Sequence, residues 1–194
     1  ISFCFWHIPK WQISYKNKLF DGSWGMVAAI SKAIENNKSL LDFNHLKSLS
    51  LEDFNVMVED DTKLLLQKER VEILNEVASK MINNFNSDVY ELIRFAKFDA
   101  VLLQNILLSE FTSFTDSSMY NNQLVHFNKR AQLLAADLNY LLIKNGEKGL
   151  LNIEKITACA DYKIPYILRE FGMISYSNEL SKLIDNRIQI GKGS

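Results

Sequence analysis

Apolar residues recur three and four positions apart along most of this chain, and only 7 Gly and 2 Pro interrupt them. That rhythm predicts long helices rather than many short strands. In "WGMVAAISKAIEN" (24–36), Met26, Ala29, Ile30, Ala33 and Ile34 share one face, after an Asp21-Gly22-Ser23 turn. "SLEDFNVMV" (50–58) sets Ser50 three residues before Asp53, a capping box with an acid in the usual Glu position. "LLLQKERVEILNEVASKMINNF" (64–85) is long and amphipathic, with Leu66, Val71, Ile73, Leu74, Val77, Ala78 and Met81 forming most of one side. Asp88 is placed as the N-cap of "DVYELIRFA", and "FDAVLLQNILLSEF" (98–111) is apolar nearly all round, as a central helix would be.

The second half continues the rhythm. "HFNKRAQLLAADLNYLLIKNG" predicts a helix from about Asn128 to Asn145, closed by Gly146. "NIEKITACADY" (152–162) reads as a shorter helix. "PYILREFG" reads as one that opens at Pro165 and stops at Gly172. "SNELSKLIDNRI" (177–188) is the last, with Ser177 as its cap and Glu179 and Asp185 on the wet side. The only strand-like piece is the opening, "ISFCFWHIPKWQISYKNKLFDG" (1–22), whose aromatic and β-branched residues suggest a small β-hairpin. The expectation is a single, mainly α domain over residues 1–194.

Composition narrows the function less than the fold. With 194 residues, 47% hydrophobic and 23% charged, the chain has enough apolar material for a core without staples. A formal net charge of −1 and a pI near 6.4 argue against gripping a nucleic-acid backbone. Cys4 and Cys159 make no disulfide framework. His7, His45 and His126 show no metal-ligand spacing, so a metal site is not expected. No run of about 18 apolar residues predicts a membrane span, and no signal-peptide pattern opens the chain. The cytosol is the default location. The oligomeric state is left open, and a start at Ile1 without Met fits a fragment or absent ends.

Two ionisable residues sit at the edges of apolar helices. Pro165 disfavours the α conformation at Ile164, so "ADYKIP" reads as a turn that sets Asp161 near a helix N-terminus. A turn or capping aspartate is the plainer reading, and a carboxylate poised against developing positive charge is the functional one. Lys129 falls in the first turn of its helix, against the helix dipole. A surface lysine is the common case there, a functional one the sharper alternative. Phe3, Phe5, Trp6, Trp11, Tyr15, Phe20 and Trp24 crowd the first 24 residues, where aromatics are usually core but also suit a planar base. Cys159 has no His nearby in sequence and reads as an inert thiol.

At these residues the chain resembles the queuosine salvage family, the queuosine 5′-phosphate N-glycosylase/hydrolases. The matching pieces are "FCFW" (3–6), "FDGSWGMVAAISKAI" (20–34), "ERVEILNE" (69–76), "HFNKRAQLLAADL" (126–138) and "ITACADYKIPYILREFGMISYSNEL" (156–180). They occur in the family's order over nearly the whole chain, and "KRAQ" followed by "ADYK" and "FGMISYS" is the specific combination. The resemblance implies an α fold related to helix-hairpin-helix DNA glycosylases. It also implies cofactor-free, metal-independent hydrolysis of queuosine 5′-monophosphate to queuine and ribose 5-phosphate. The small nucleotide is then the partner, with no direct nucleic-acid binding and no membrane association. The implied catalytic residues are Asp161 and Lys129, and the implied base-binding aromatics are Phe5, Trp6 and Trp24. Tyr162 and Lys163 would reach the ribose phosphate, and Asp61 falls where the family often has an aspartate.

Two departures stand out. Family members commonly continue into a helical segment with a motif like "ILLDYYLWD", which has no equivalent by "IQIGKGS" (188–194), and "LLL" (64–66) replaces a proline-bearing "MPL". The alternatives weighed against the hydrolase are a nucleic-acid glycosylase or binder of the same architecture, and a helical scaffold in which Lys129 and Asp161 are merely structural.

Overall fold

The computed structural model describes residues 1–58, Thr62 and 64–191, apart from the side chain of Lys38. Among them the chain is mainly helical, with two small antiparallel hairpins. It divides into two compact units, Ile1–Thr157 and Ala158–Ser194. No helix of the described residues is long and apolar enough to cross a membrane.

The first unit opens with the expected hairpin, β1 (Gln12–Tyr15) against β2 (Lys18–Asp21). Lys16 and Asn17 form its loop with φ of 48° and 60°, the left-handed pair that a two-residue hairpin turn requires. Helix α1 (Gly22–Asn36) follows directly and packs on both strands. Gly25 permits that contact, because a Cβ there would stand 2.9 Å from Trp11 Cζ3 and 3.2 Å from the Phe20 carbonyl oxygen. A 3-10 turn (Lys38–Leu41), α2 (Phe43–Lys47) and α3 (Leu51–Val58) complete this end. Ser50 caps α3 as its spacing indicates, with Oγ accepting from Asp53 N–H at 3.0 Å and donating to Asp53 Oδ2 at 2.6 Å.

Helix α4 (Gln67–Phe85) is the spine of the unit. At 1.5 Å per residue it runs about 28 Å, long enough to serve two cores. Val71 and Leu74 near its start join Trp11, Ile13, Met26, Phe54 and Leu64. Met81 and Phe85 near its end join Leu92, Leu103, Leu107, Phe111, Ala131 and Ala135. That second core is built by α5 (Val89–Phe95), α6 (Ala100–Glu110) and α7 (Lys129–Lys144). Small Ala131 and Ala135 let α7 pack closely against α6. Leu66, expected on the buried stripe of α4, instead lies just outside the helix with φ 55° and is exposed.

Three further sequence expectations need correction. The opening is not the only strand-like piece: β3 (Ser117–Tyr120) pairs with β4 (Gln123–His126) through Asn121 and Asn122, whose φ values are 48° and 59°. "NIEKITACADY" is not a helix; only a 3-10 turn forms there (Ile153–Lys155), and 156–161 carry no helix. Leu151, the residue just before this stretch, forms a parallel bridge with Asp99, and its first residue Asn152 donates to the Asp99 carboxylate. In the second unit, α8 (Lys163–Glu170) starts two residues before Pro165. Proline is tolerated there because the first-turn N–H groups have no intrahelical partner anyway.

The rest of the second unit follows its signals. Gly172 adopts φ +66° after α8, with Gly172 N–H bonded to Arg169 O at 2.9 Å and Met173 N–H to Leu168 O at 2.8 Å, a Schellman closure. Ser177 Oγ caps α9 (Asn178–Asp185) by accepting from Leu180 N–H at 3.2 Å. Arg169 joins the two helices by a two-pronged bond to Asp185, at 2.7 and 3.0 Å.

Candidate active site

Several buried polar groups of the first unit meet at the start of α7. Asn128 stands in the left-handed region at φ 52°, so its side chain cannot cap the helix that follows. The cap comes instead from Asp116, whose Oδ2 accepts the Lys129 N–H at 3.0 Å while its carbonyl accepts Phe127 N–H at 2.9 Å. That carboxylate sits where the helix dipole favours negative charge. Nothing in the sequence around Asp116 gave it a role; its signal would have been the Asn-Asn turn of the hairpin that brings it back to the helix start.

Each residue of "KRAQ" then has a separate task. Lys129, half-buried, opens the helix. Arg130 donates to the Ser113 carbonyl at 2.6 Å and lies 4.6 Å from the Phe3 ring centroid. Ala131 packs in the core, and Gln132, 5% exposed, spans Phe127 O at 3.2 Å and the Thr157 hydroxyl at 2.8 Å. Ser113 is positioned by Glu76 of α4, whose carboxylate accepts from Thr112 and Ser113 N–H groups and from the Thr112 hydroxyl. Burial works to raise the Glu76 pKa, but those hydrogen bonds outweigh it and hold the group below its ordinary value.

Among the described residues, the buried acceptors Asp116 Oδ1 and Asn128 Oδ1 at this corner find no hydrogen-bond partner. Unsatisfied buried acceptors are uncommon and costly, about 1–3 kcal/mol each. Both lie beside Lys129, so the start of α7 is polar where the rest of the helix packs on the core.

In the second unit, Asp161 is half-buried and directs Oδ1 at the Lys163 N–H, 3.1 Å away, while its carbonyl accepts Ile164 N–H at 3.0 Å. The carboxylate therefore stands at the mouth of α8, although the turn expected over "ADYKIP" is shorter than the sequence suggests, since Lys163 and Ile164 already belong to the helix. Tyr162 is 78% exposed and Lys163 is also exposed. The expected aromatics divide. Phe5 is half-buried and stacks on Trp11 at 6.0 Å, whereas Trp6 and Trp24 stand 58% and 73% exposed. Asp61 lies outside the described residues.

The sequence stripe also missed Arg70. This residue of α4 is fully buried, yet no carboxylate pairs with it among the described residues. Its guanidinium donates to the backbone carbonyls of Ile1, Phe3, Cys4 and Leu65, and its carbon lies 4.4 Å from the Phe3 ring centroid and 5.0 Å from that of Phe5. A buried Arg satisfied wholly by carbonyls and rings gives no periodicity signal; it simply breaks the apolar stripe.

The chain matches the queuosine salvage protein model over residues 1–194, and it belongs to that family. It is similar to proteins named queuosine 5′-phosphate N-glycosylase/hydrolase from Sphaerobacter thermophilus (32% identity, 100% of this chain), Nematostella vectensis (30%, 97%) and Dictyostelium discoideum (30%, 100%). The match spans only 60%, 56% and 57% of those relatives' own lengths.

Proposed function

We propose that the protein hydrolyses the N-glycosidic bond of queuosine 5′-monophosphate, freeing queuine for tRNA modification and leaving ribose 5-phosphate. The observation that carries this reading is the family match along the whole chain, with relatives named for that reaction. The geometry supports it through Asp161, a carboxylate held in one orientation by a backbone N–H at a helix start.

In the reaction, the C1′–N bond breaks with its electron pair leaving on the base, and positive charge builds on C1′ and the ring oxygen. Asp161 stabilises that charge and accepts the proton given up by the attacking water, whose oxygen bonds to C1′. The departing base nitrogen takes up a proton. Lys129 serves the sugar or the phosphate as a cation and hydrogen-bond donor rather than as a Schiff-base nucleophile, since hydrolysis needs no covalent step. Phe5, Trp6 and Trp24 offer ring faces for the planar base, with Tyr162 and Lys163 toward the ribose phosphate. Asp61 is retained as a substrate-side carboxylate on the family resemblance alone.

The substrate is a free nucleotide. A net charge of −1 supplies little attraction for a nucleic-acid backbone. The mainly helical build also agrees with a relationship to helix-hairpin-helix glycosylases. The test is a chromatographic assay for free queuine, with queuosine, its 5′-monophosphate and its 3′-monophosphate offered in parallel to the intact protein. Queuine is expected chiefly from the 5′-monophosphate. No queuine from any of the three overturns the reading.

A further inference from the structure

We infer that Arg70 is a positioning residue for base recognition, acting through the aromatic segment Phe3–Trp6; the inference rests on the proposed use of Phe5 and Trp6 as base-facing rings. Residues 1–11 form no helix or strand, so their carbonyls have no ladder to satisfy them. One side chain replaces that ladder. The Arg70 guanidinium donates to Ile1 O and Phe3 O, reaches Cys4 O at 3.4 Å, and closes onto Leu65 O at 2.9 Å, just before its own helix. A guanidinium presents five N–H donors in a rigid plane, so it can serve several carbonyls at once where a lysine cannot.

The rings are fixed by the same group. Phe3 and Phe5 are two residues apart, and Cys4 between them sits at φ 54°, in the left-handed region that a non-glycine residue adopts only under constraint. That bend brings both rings to the guanidinium, at 4.4 and 5.0 Å, within cation–π range. Phe3 also meets Arg130 of the KRAQ helix at 4.6 Å. Phe5 in turn stacks on Trp11, whose indole N–H is anchored to Val58 O at 3.0 Å. The segment is therefore tied to α4, to α7 and, through Trp11, to the end of α3 before it releases Trp6 to the exterior. Burial is the main cause that lowers the Arg70 pKa to about 10, which leaves it charged at neutral pH.

Arg70 touches no reacting atom in this scheme. Its loss should weaken recognition of the base while sparing recognition of the sugar phosphate. The experiment compares wild type with Arg70→Lys and with Phe3→Leu, which keeps the carbonyl bonds but removes the ring. In each intact, folded protein, binding of queuine and of ribose 5-phosphate is measured separately, alongside KM and kcat for queuosine 5′-monophosphate. The expected result is a tenfold or greater weakening for queuine with less than a threefold change for ribose 5-phosphate, and a rise in KM larger than the fall in kcat. If Arg70→Lys does not fold, Phe3→Leu alone decides by the same criterion. Parallel weakening for both ligands, or no change in either, overturns the positioning role. Failure of wild type to bind queuine at all is a different result, which removes the base-binding reading itself.

Discussion

Thr157 Oγ donates to Gln132 Oε1 at 2.8 Å, joining the first turn of α7 to the last residue of the first unit. The other end of the same carboxamide holds Phe127 O at 3.2 Å, two residues before the helix. Gln132→Leu removes both bonds and strands a hydroxyl and a carbonyl against a buried side chain. A loss of about 1–3 kcal/mol is expected. It is read as a drop in the thermal or urea midpoint; an unchanged midpoint would show that the carboxamide contributes no stability.

Arg130 and Lys129 are neighbours with different duties. Arg130 is committed to Ser113 O and to the Phe3 ring, so Arg130→Ala should lower the unfolding midpoint while leaving a substantial part of the activity. Lys129→Ala should remove most of the queuine release, because its side chain carries the proposed sugar or phosphate contact. Steady-state assays on both variants check the order, and the reverse ranking would move the basic role to Arg130.

Glu76 gives the fold a dependence on acid. Its hydrogen bonds from Thr112 and Ser113 hold the folded pKa below the ordinary value of 4.5. A carboxyl lowered by folding contributes stability that is fully present above its unfolded pKa and is lost as pH falls through the folded one. Glu76→Gln should therefore be less stable than wild type at neutral pH, and the gap should close as the pH falls below the ordinary carboxylate range. Unfolding midpoints over that range check it; a gap that stays constant would separate Glu76 from the acid sensitivity.

Much of this architecture is legible in the residues, and the misses have physical causes. Ser50, Asp88, Ser177, Gly146 and Gly172 announce helix ends because capping is local chemistry, and each ends its helix as expected. The β3–β4 hairpin escaped because its strands are short and exposed on both faces, leaving no alternation to read. The helix expected over 152–162 failed because Asn152 and Leu151 are drawn to Asp99, a contact 52 and 53 residues distant in sequence that no local pattern carries. Lys129 and Asp161 could be singled out, since an ionisable group at the edge of an apolar helix is a visible inconsistency. Asp116, Gln132 and Arg70 could not, because their partners are backbone groups and rings brought near by tertiary packing.

In the proposed mechanism Asp161 bears the weight of the chemistry. Loss of one preorganised electrostatic group commonly costs about 10²–10³ in rate. The decisive measurement is the rate of queuine release from queuosine 5′-monophosphate by intact Asp161→Asn, a variant that retains the shape and a side-chain acceptor for Lys163 N–H. A fall of about 100-fold or more, with an unfolding midpoint near that of wild type, is the expected result. Turnover at the wild-type rate would contradict the assignment and return this aspartate to the ordinary work of opening a helix.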